Sequence, residues 1–235
     1  MKIALASVRI VDGDINYNLS QMECYMKVAK ANGASLVCFG EAFLQGFNAL
    51  SWQYEKDKDI AISTSSSIFS QIKEWTKQLC IDVLFGYNEL VDDSIYSSCA
   101  LIANGEIVYN YRRVSKGWKE YWKTDAHYKE GNSIEVFEYK GKKCLIALCG
   151  DLWEFPDKFR LGEDVLFWPV YVSGLDWENS EKLEYAKQAK LSGGKTLYIN
   201  SISNDEGFGG AAYFYEGIIK KELPISIEAV LYLEI

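Results

Sequence analysis

The opening of the chain constrains its fold most. Residues 2 to 8 form a short apolar run, and Ala34 to Phe39 is almost continuously apolar. Between them Leu19, Met22, Met26 and Ala29 recur at steps of three, four and three, the stripe of a helix. Asn18 reads as the helix cap and Gly33 as its end. A strand that is apolar on both faces has to be buried on both, so this strand-helix-strand unit predicts a sheet covered by helices.

The pattern continues. Ser65 or Ser66 starts a helix with Ile68, Ile72, Trp75 and Leu79 on one face, and a strand comes next over 81–87. Segments 96–103 and 106–111 flank Asn104-Gly105, a strong signal for a two-residue hairpin. Strands are predicted over 134–139, 143–148, 164–169 and 196–202, and terminal strands over 213–219 and 229–235. A short helix is predicted over 157–161, and a longer one over 178–191 with Leu183, Ala186 and Ala189 facing inward. Ser192-Gly193-Gly194-Lys195-Thr196 has the ending of a phosphate loop, but Ala189 stands at its first glycine and a strand comes after it, which excludes it.

Composition removes whole classes of function. At 235 residues and 49% hydrophobic content the chain suits one domain spanning 1–235. A net charge of −8 argues against a nucleic-acid partner. The N-terminal apolar run meets Arg9 and Asp12 too soon for a signal segment, and no run is long enough to span a membrane, so a cytoplasmic protein is expected. Six cysteines without a C-x-x-C pair argue against disulfides and zinc. His127 is the single histidine, so a His-rich metal site is excluded and any Cys-His pairing would need that residue.

Three places could carry chemistry. The apolar strand from Leu145 ends at Cys149-Gly150-Asp151-Leu152-Trp153, where the rigid strand presents a thiol and the small Gly150 admits a carbonyl to the following N–H. Taken alone, a free cysteine there is most often a packing residue. Glu41 comes after the strand at 34–39, where layered folds deliver functional groups. Segment 112–131 lacks apolar periodicity and is dense in cations, acids and aromatics, a long connection of the kind that usually has a function. A carboxylate, a cation and a thiol together can activate a nucleophile and stabilise an oxyanion.

Phe39-Gly40-Glu41-Ala42-Phe43, Tyr111-Arg112-Arg113, Leu148-Cys149-Gly150-Asp151-Leu152-Trp153 and the late Asn200 and Gly210 regions resemble the nitrilase, or carbon-nitrogen hydrolase, superfamily. The resemblance spans nearly the whole chain. It implies an α/β fold, a four-layer α-β-β-α sandwich, assembled as a homodimer or larger homo-oligomer through its helical face. It also implies that Cys149 attacks a carbonyl or nitrile carbon, that Glu41 is the base, that the Gly150 N–H helps hold the oxyanion, and that no metal or other cofactor is needed.

The departure lies in the cation. The family usually carries Tyr-Arg-Lys where this chain has Tyr111-Arg112-Arg113. Arginine keeps the charge but not the compact ammonium. The spacing of Lys116 from Cys149 is similar to that in compact amidases of the family, which makes Lys116 the first choice, Lys119 the second and Arg113 the third. For the family's auxiliary glutamate, Asp125 is the nearest match and Glu120 the next. His127 is expected to line the pocket or face solvent. Trp52, Trp118, Trp153, Trp168 and Tyr171 are candidates to wall it.

The function so implied is hydrolysis of a non-peptide carbon-nitrogen bond in a small amide or carbamoyl compound through a thioester. Two alternatives stand beside it. The acyl group could pass to an amine acceptor, or the chain could be a catalytically silent binding or regulatory subunit, which Arg113 keeps open.

Overall fold

In the computed structural model, which describes residues 1–172, 176–203 and 207–235, the opening unit forms β1 (Lys2–Ser7), α1 (Ile15–Ala31) and β2 (Leu36–Cys38). The one-turn α2 (Tyr54–Asp57) and α3 (Ser67–Gln78) lead to β3 (Asp82–Val91), β4 (Ser94–Ala103) and β5 (Glu106–Arg112). Strands β1, β2 and β3 are parallel neighbours, and β4 and β5 extend the sheet antiparallel.

A second sheet is built the same way. It contains β6 (Phe137–Tyr139) and β7 (Lys142–Ile146), then, after the short α4 (Asp151–Glu154), β8 (Val165–Val170). Helix α5 (Lys182–Ser192) leads to β9 (Lys195–Asn200), and β10 (Ala211–Tyr215) and β11 (Ile218–Leu223) finish that sheet in the order β11-β10-β9-β8-β7-β6. Strands β7, β8 and β9 are its parallel centre. The last strand, β12 (Ala229–Glu234), returns to pair antiparallel with β1 and closes that edge of the first sheet.

Strand alternation sorts the layers. Ile3 and Leu5 of β1 enter the core shared by the two sheets, with Leu84, Leu101, Ile146 and Phe167, whereas Ala4 and Ala6 enter the outer core. That outer core packs Val37 and Phe85 against Met22 and Met26 of α1 and Phe69 and Ile72 of α3. On the far side α5 lays Tyr185, Ala186 and Ala189 over Trp168 and Tyr198. The result is the expected α-β-β-α sandwich. No helix among the described residues is long and apolar enough to cross a membrane.

Several boundaries differ from those the sequence predicts. The cap of α1 is Asp14, whose carboxylate accepts the Tyr17 N–H at 2.9 Å. Asn18 lies inside the helix and is buried, where its amide binds the Val11 and Leu44 carbonyls at 2.9 and 3.1 Å. Leu183 points outward at 58% exposure, because Tyr185 takes the inward face of α5. The strand predicted over 213–219 is a hairpin, with Glu216 at φ 53° and Gly217 at φ 76° making the turn. The strand predicted over 134–139 keeps only β6.

Candidate active site

Parallel strands carry the residues beyond their ends to one edge of a sheet, and here three ends converge. Glu41 lies just beyond β2, Cys149 beyond β7 and Tyr171 beyond β8. The Glu41 N–H donates to the Val170 carbonyl at 3.2 Å, and the Cys149 N–H donates to the Pro169 carbonyl at 3.0 Å, so the end of β8 holds both. Gly86 of β3 makes the Glu41 turn possible: a Cβ there would lie 2.6 Å from the Glu41 Cα.

Cys149 sits at φ 37°, a left-handed conformation that costs a non-glycine residue about 1–3 kcal/mol. The surroundings enforce it. Trp168 Nε1 donates to the Cys149 carbonyl at 2.9 Å, and Asp151 fixes the turn from below. One oxygen of the buried Asp151 carboxylate accepts the Leu148 N–H at 2.8 Å and the Tyr111 hydroxyl at 2.7 Å. The other accepts the Ser115 and Val114 N–H groups at 2.7 and 3.2 Å, so one side chain joins the thiol turn to the segment after β5.

That segment brings in the cation, and it is Arg113. Tyr111 and Arg113 are two residues apart at the end of β5 and share the inward direction, whereas Arg112 turns to Glu89 at 2.7 Å. Arg113 is 3% exposed and Glu41 0%, and Nη1 donates to Glu41 Oε1 at 2.9 Å. Its Nε donates to Ser115 Oγ at 2.8 Å and its Nη2 to the Lys116 carbonyl at 2.9 Å. Gly150 lies against the guanidinium so closely that a Cβ there would be 2.4 Å from Nη2.

Glu41 is held asymmetrically. Oε1 also accepts the Ser97 hydroxyl at 3.1 Å, while Oε2 is buried with no hydrogen-bond partner among the described residues. Burial first, and then the Glu41 charge, push the Cys149 thiol up to about 12, with Arg113 opposing. The thiol is therefore protonated at neutral pH. Burial opposes the charge on Arg113, but Glu41, Cys149 and Asp151 outweigh it and raise its pKa.

Sequence comparison matches residues 2–164 to the family model for carbon-nitrogen hydrolases, more than half of the chain. The chain belongs to the carbon-nitrogen hydrolase family. Glutamine-dependent NAD(+) synthetase of Thermotoga maritima is 25% identical over 173 residues, covering 70% of this chain and 28% of that protein. The enzyme of that name from Acinetobacter baylyi is 24% identical over 245 aligned residues, 99% of this chain and 44% of that protein. The chain thus spans less than half the length of these curated relatives. Among solved structures, a glutamate-to-glutamine mutant of the amidase from Nesterenkonia sp. AN1 carries the acetamide moiety of fluoroacetamide on its active-site cysteine. It superposes with a TM-score of 0.84 at 18% identity over 100% of this chain and 90% of that one, a likeness of fold.

In this member of the family the other sequence candidates take partners outside the Glu41–Arg113–Cys149 cluster. Lys116, the first choice, is exposed with its ammonium 5.5 Å from the Tyr121 ring, and only its carbonyl serves Arg113. The reason is backbone direction: Lys116 has left β5 and sits in the turn before Gly117. Lys119 is paired with Glu130 at 3.0 Å and donates to the Tyr128 carbonyl. Glu120 accepts the Trp52 indole N–H at 3.2 Å and pairs with Lys123 at 2.7 Å. Asp125 caps the backbone and ring of His127, which stacks on Tyr54 at 3.8 Å and stays on the surface.

The proposed pocket walls divide. Trp168 is buried beneath the thiol turn, and Trp153, half exposed, packs edge to face against Tyr185. Tyr171 is close: its carbonyl faces Cys149 Sγ at 3.8 Å and its ring stacks on Phe47 at 4.5 Å. Sequence reasoning passed over Ser97, Ser115 and Phe47, which carry no motif. The Tyr111–Arg113 alternation was the available sign for the cation.

The protonated thiol has a measurable consequence. Iodoacetamide should alkylate Cys149 slowly at neutral pH, the rate rising about tenfold per pH unit to about pH 10 without a plateau. Peptide mass mapping separates it from the exposed Cys24 and Cys80. A plateau near neutrality would mean a thiolate is already formed.

Proposed function

We propose that this chain hydrolyses the carbon-nitrogen bond of a small amide or carbamoyl compound through a thioester on Cys149, with Glu41 as base and Arg113 as the fixed cation. The observation that carries the reading is the asymmetry of Glu41. One oxygen is pinned by Arg113 and Ser97, and the other is buried without a partner among the described residues, an acceptor kept for a proton in motion.

The steps balance without another group. Glu41 takes the thiol proton as sulfur bonds to the carbonyl carbon, and the oxyanion is held by the Gly150 N–H and the guanidinium beside it. When the C–N bond breaks, protonated Glu41 returns that proton to the leaving nitrogen. Glu41 then deprotonates water, whose oxygen attacks the thioester, and the proton goes back to sulfur as the acid leaves. Arginine cannot exchange protons at these pH values, so both transfers fall to Glu41.

The relatives support the reading in two ways. Two relatives are named as glutamine-dependent enzymes, and a glutamate-to-glutamine mutant of the Nesterenkonia amidase carries a covalent adduct on its active-site cysteine. The equivalent trial here is Glu41→Gln incubated with fluoroacetamide, acetamide and glutamine, with intact mass as the readout. An acyl or alkyl increment confined to Cys149 is expected.

A second reading rests on Arg113 itself. A guanidinium with three protein acceptors is built to hold an ion pair, which also suits a silent binding domain that keeps the fold. Absence of both adduct and ammonia release across those amides would favour it.

A further inference from the structure

We infer that the amide this site accepts carries an uncharged aromatic ring on its acyl side, seated in the ring-lined cavity formed by segments adjoining the catalytic residues. The inference rests on the hydrolase reading above. A cavity of about 660 Å³ lies between the segment after β2 and the segment after β5. Both of its walls lead back to the catalytic centre. On one side Phe47 stacks on Tyr171, whose carbonyl faces the thiol. On the other, Gly117 comes after the Lys116 carbonyl that holds Arg113, and its Cβ position is 3.6 Å from Nη2.

Rings dominate the lining. Trp52 and Trp118 meet edge to face at 6.3 Å, and Trp122 stands at the mouth at 81% exposure. Trp52 is placed at a cost, since its φ of 63° is left-handed. The buried carboxylate of Asp57 holds it there, accepting the Trp52 and Ser51 N–H groups, each at 2.8 Å, with the Tyr128 hydroxyl at 2.7 Å as a further donor. A strained tryptophan clamped by a buried acid is a pre-organised surface, and pre-organisation favours a ligand that fits it.

The charges of the wall are already answered within the protein. Lys119 is paired with Glu130, and Lys123 with Glu120, which also accepts the Trp52 indole N–H. A charged acyl group would have to break one of these pairs, whereas a neutral ring only displaces water from apolar surface. Flat apolar groups are therefore preferred over both a methyl group and a zwitterionic amino-acid side.

The test compares ammonia release from phenylacetamide, acetamide and glutamine by the full chain. Burying a phenyl ring predicts a kcat/KM for phenylacetamide about 30-fold above that for acetamide. That ratio should fall to within about threefold in Trp52→Ala. It should also fall several-fold in Trp122→Ala, whose exposed ring is not needed for folding. Equal or lower turnover of phenylacetamide, preferred glutamine, or a ratio unchanged in both variants overturns the aromatic pocket and leaves the hydrolase reading standing. If none of the three amides releases ammonia and Glu41→Gln forms no adduct on Cys149, the hydrolase reading fails and takes this inference with it.

Discussion

Cys149→Ala should lower ammonia release by about 10⁴-fold or more, because the other thiol near Glu41, that of Cys99, is sealed in the core where no substrate reaches it. The fold should survive. Alanine is small enough for the same turn, and the bonds that hold it come from the Cys149 backbone and Asp151 rather than from sulfur. Stability near neutral pH should therefore change by no more than about 1 kcal/mol in a urea titration. At alkaline pH the two proteins should diverge in a known direction. The folded thiol is raised to about 12, so an unfolded chain loses that proton first as pH rises past the usual thiol value. The stability contributed by the buried neutral thiol is present below that value and is lost as pH climbs toward about 12. Wild type should thus lose more stability than Cys149→Ala in that window. Turnover that persists in Cys149→Ala would remove the thioester, and identical alkaline curves would remove the raised thiol.

The parts of this molecule legible in the sequence are those set by periodicity and by strand ends. The apolar runs at β1, β2, β7 and β8 identify buried parallel strands, and Glu41 and Cys149 meet because both come just after such strands. The illegible parts depend on packing between distant segments. Ser97 lies 56 residues from Glu41, and no local pattern sets it apart from Ser94 or Ser98. The inward turn of Tyr185 in place of Leu183 results from the aromatic cluster over Trp168 and Tyr198, a contact between layers that hydrophobicity along one helix does not encode. Asn18 departs from its expected capping place for a related reason. Asparagine suits a helix cap, but here the loop at Val11 and the chain at Leu44 offered it partners inside the helix. Family spacing points to Lys116, while the two-residue period of β5 carries Arg113 inward with Tyr111 and onto Glu41.

Arg113→Met should be the most damaging single change, costing about 3–5 kcal/mol of stability and all measurable turnover, since it leaves the Glu41 carboxylate charged and buried without its partner. The loss should be reversible by a second change. In Glu41→Gln/Arg113→Met the stranded charge is gone, so a urea titration should recover at least half of the lost stability, without recovery of turnover. Arg113→Lys separates charge from shape. Lysine keeps the cation, but one ammonium on a flexible stem cannot reproduce the planar fork that now reaches Glu41 Oε1, Ser115 Oγ and the Lys116 carbonyl together. That variant should fold, with turnover reduced about 100-fold. If Arg113→Met costs less than about 1 kcal/mol, the ion pair is not what holds Glu41. If Arg113→Lys matches or exceeds wild-type turnover, an ammonium is sufficient and the guanidinium geometry is not the device that orients the base.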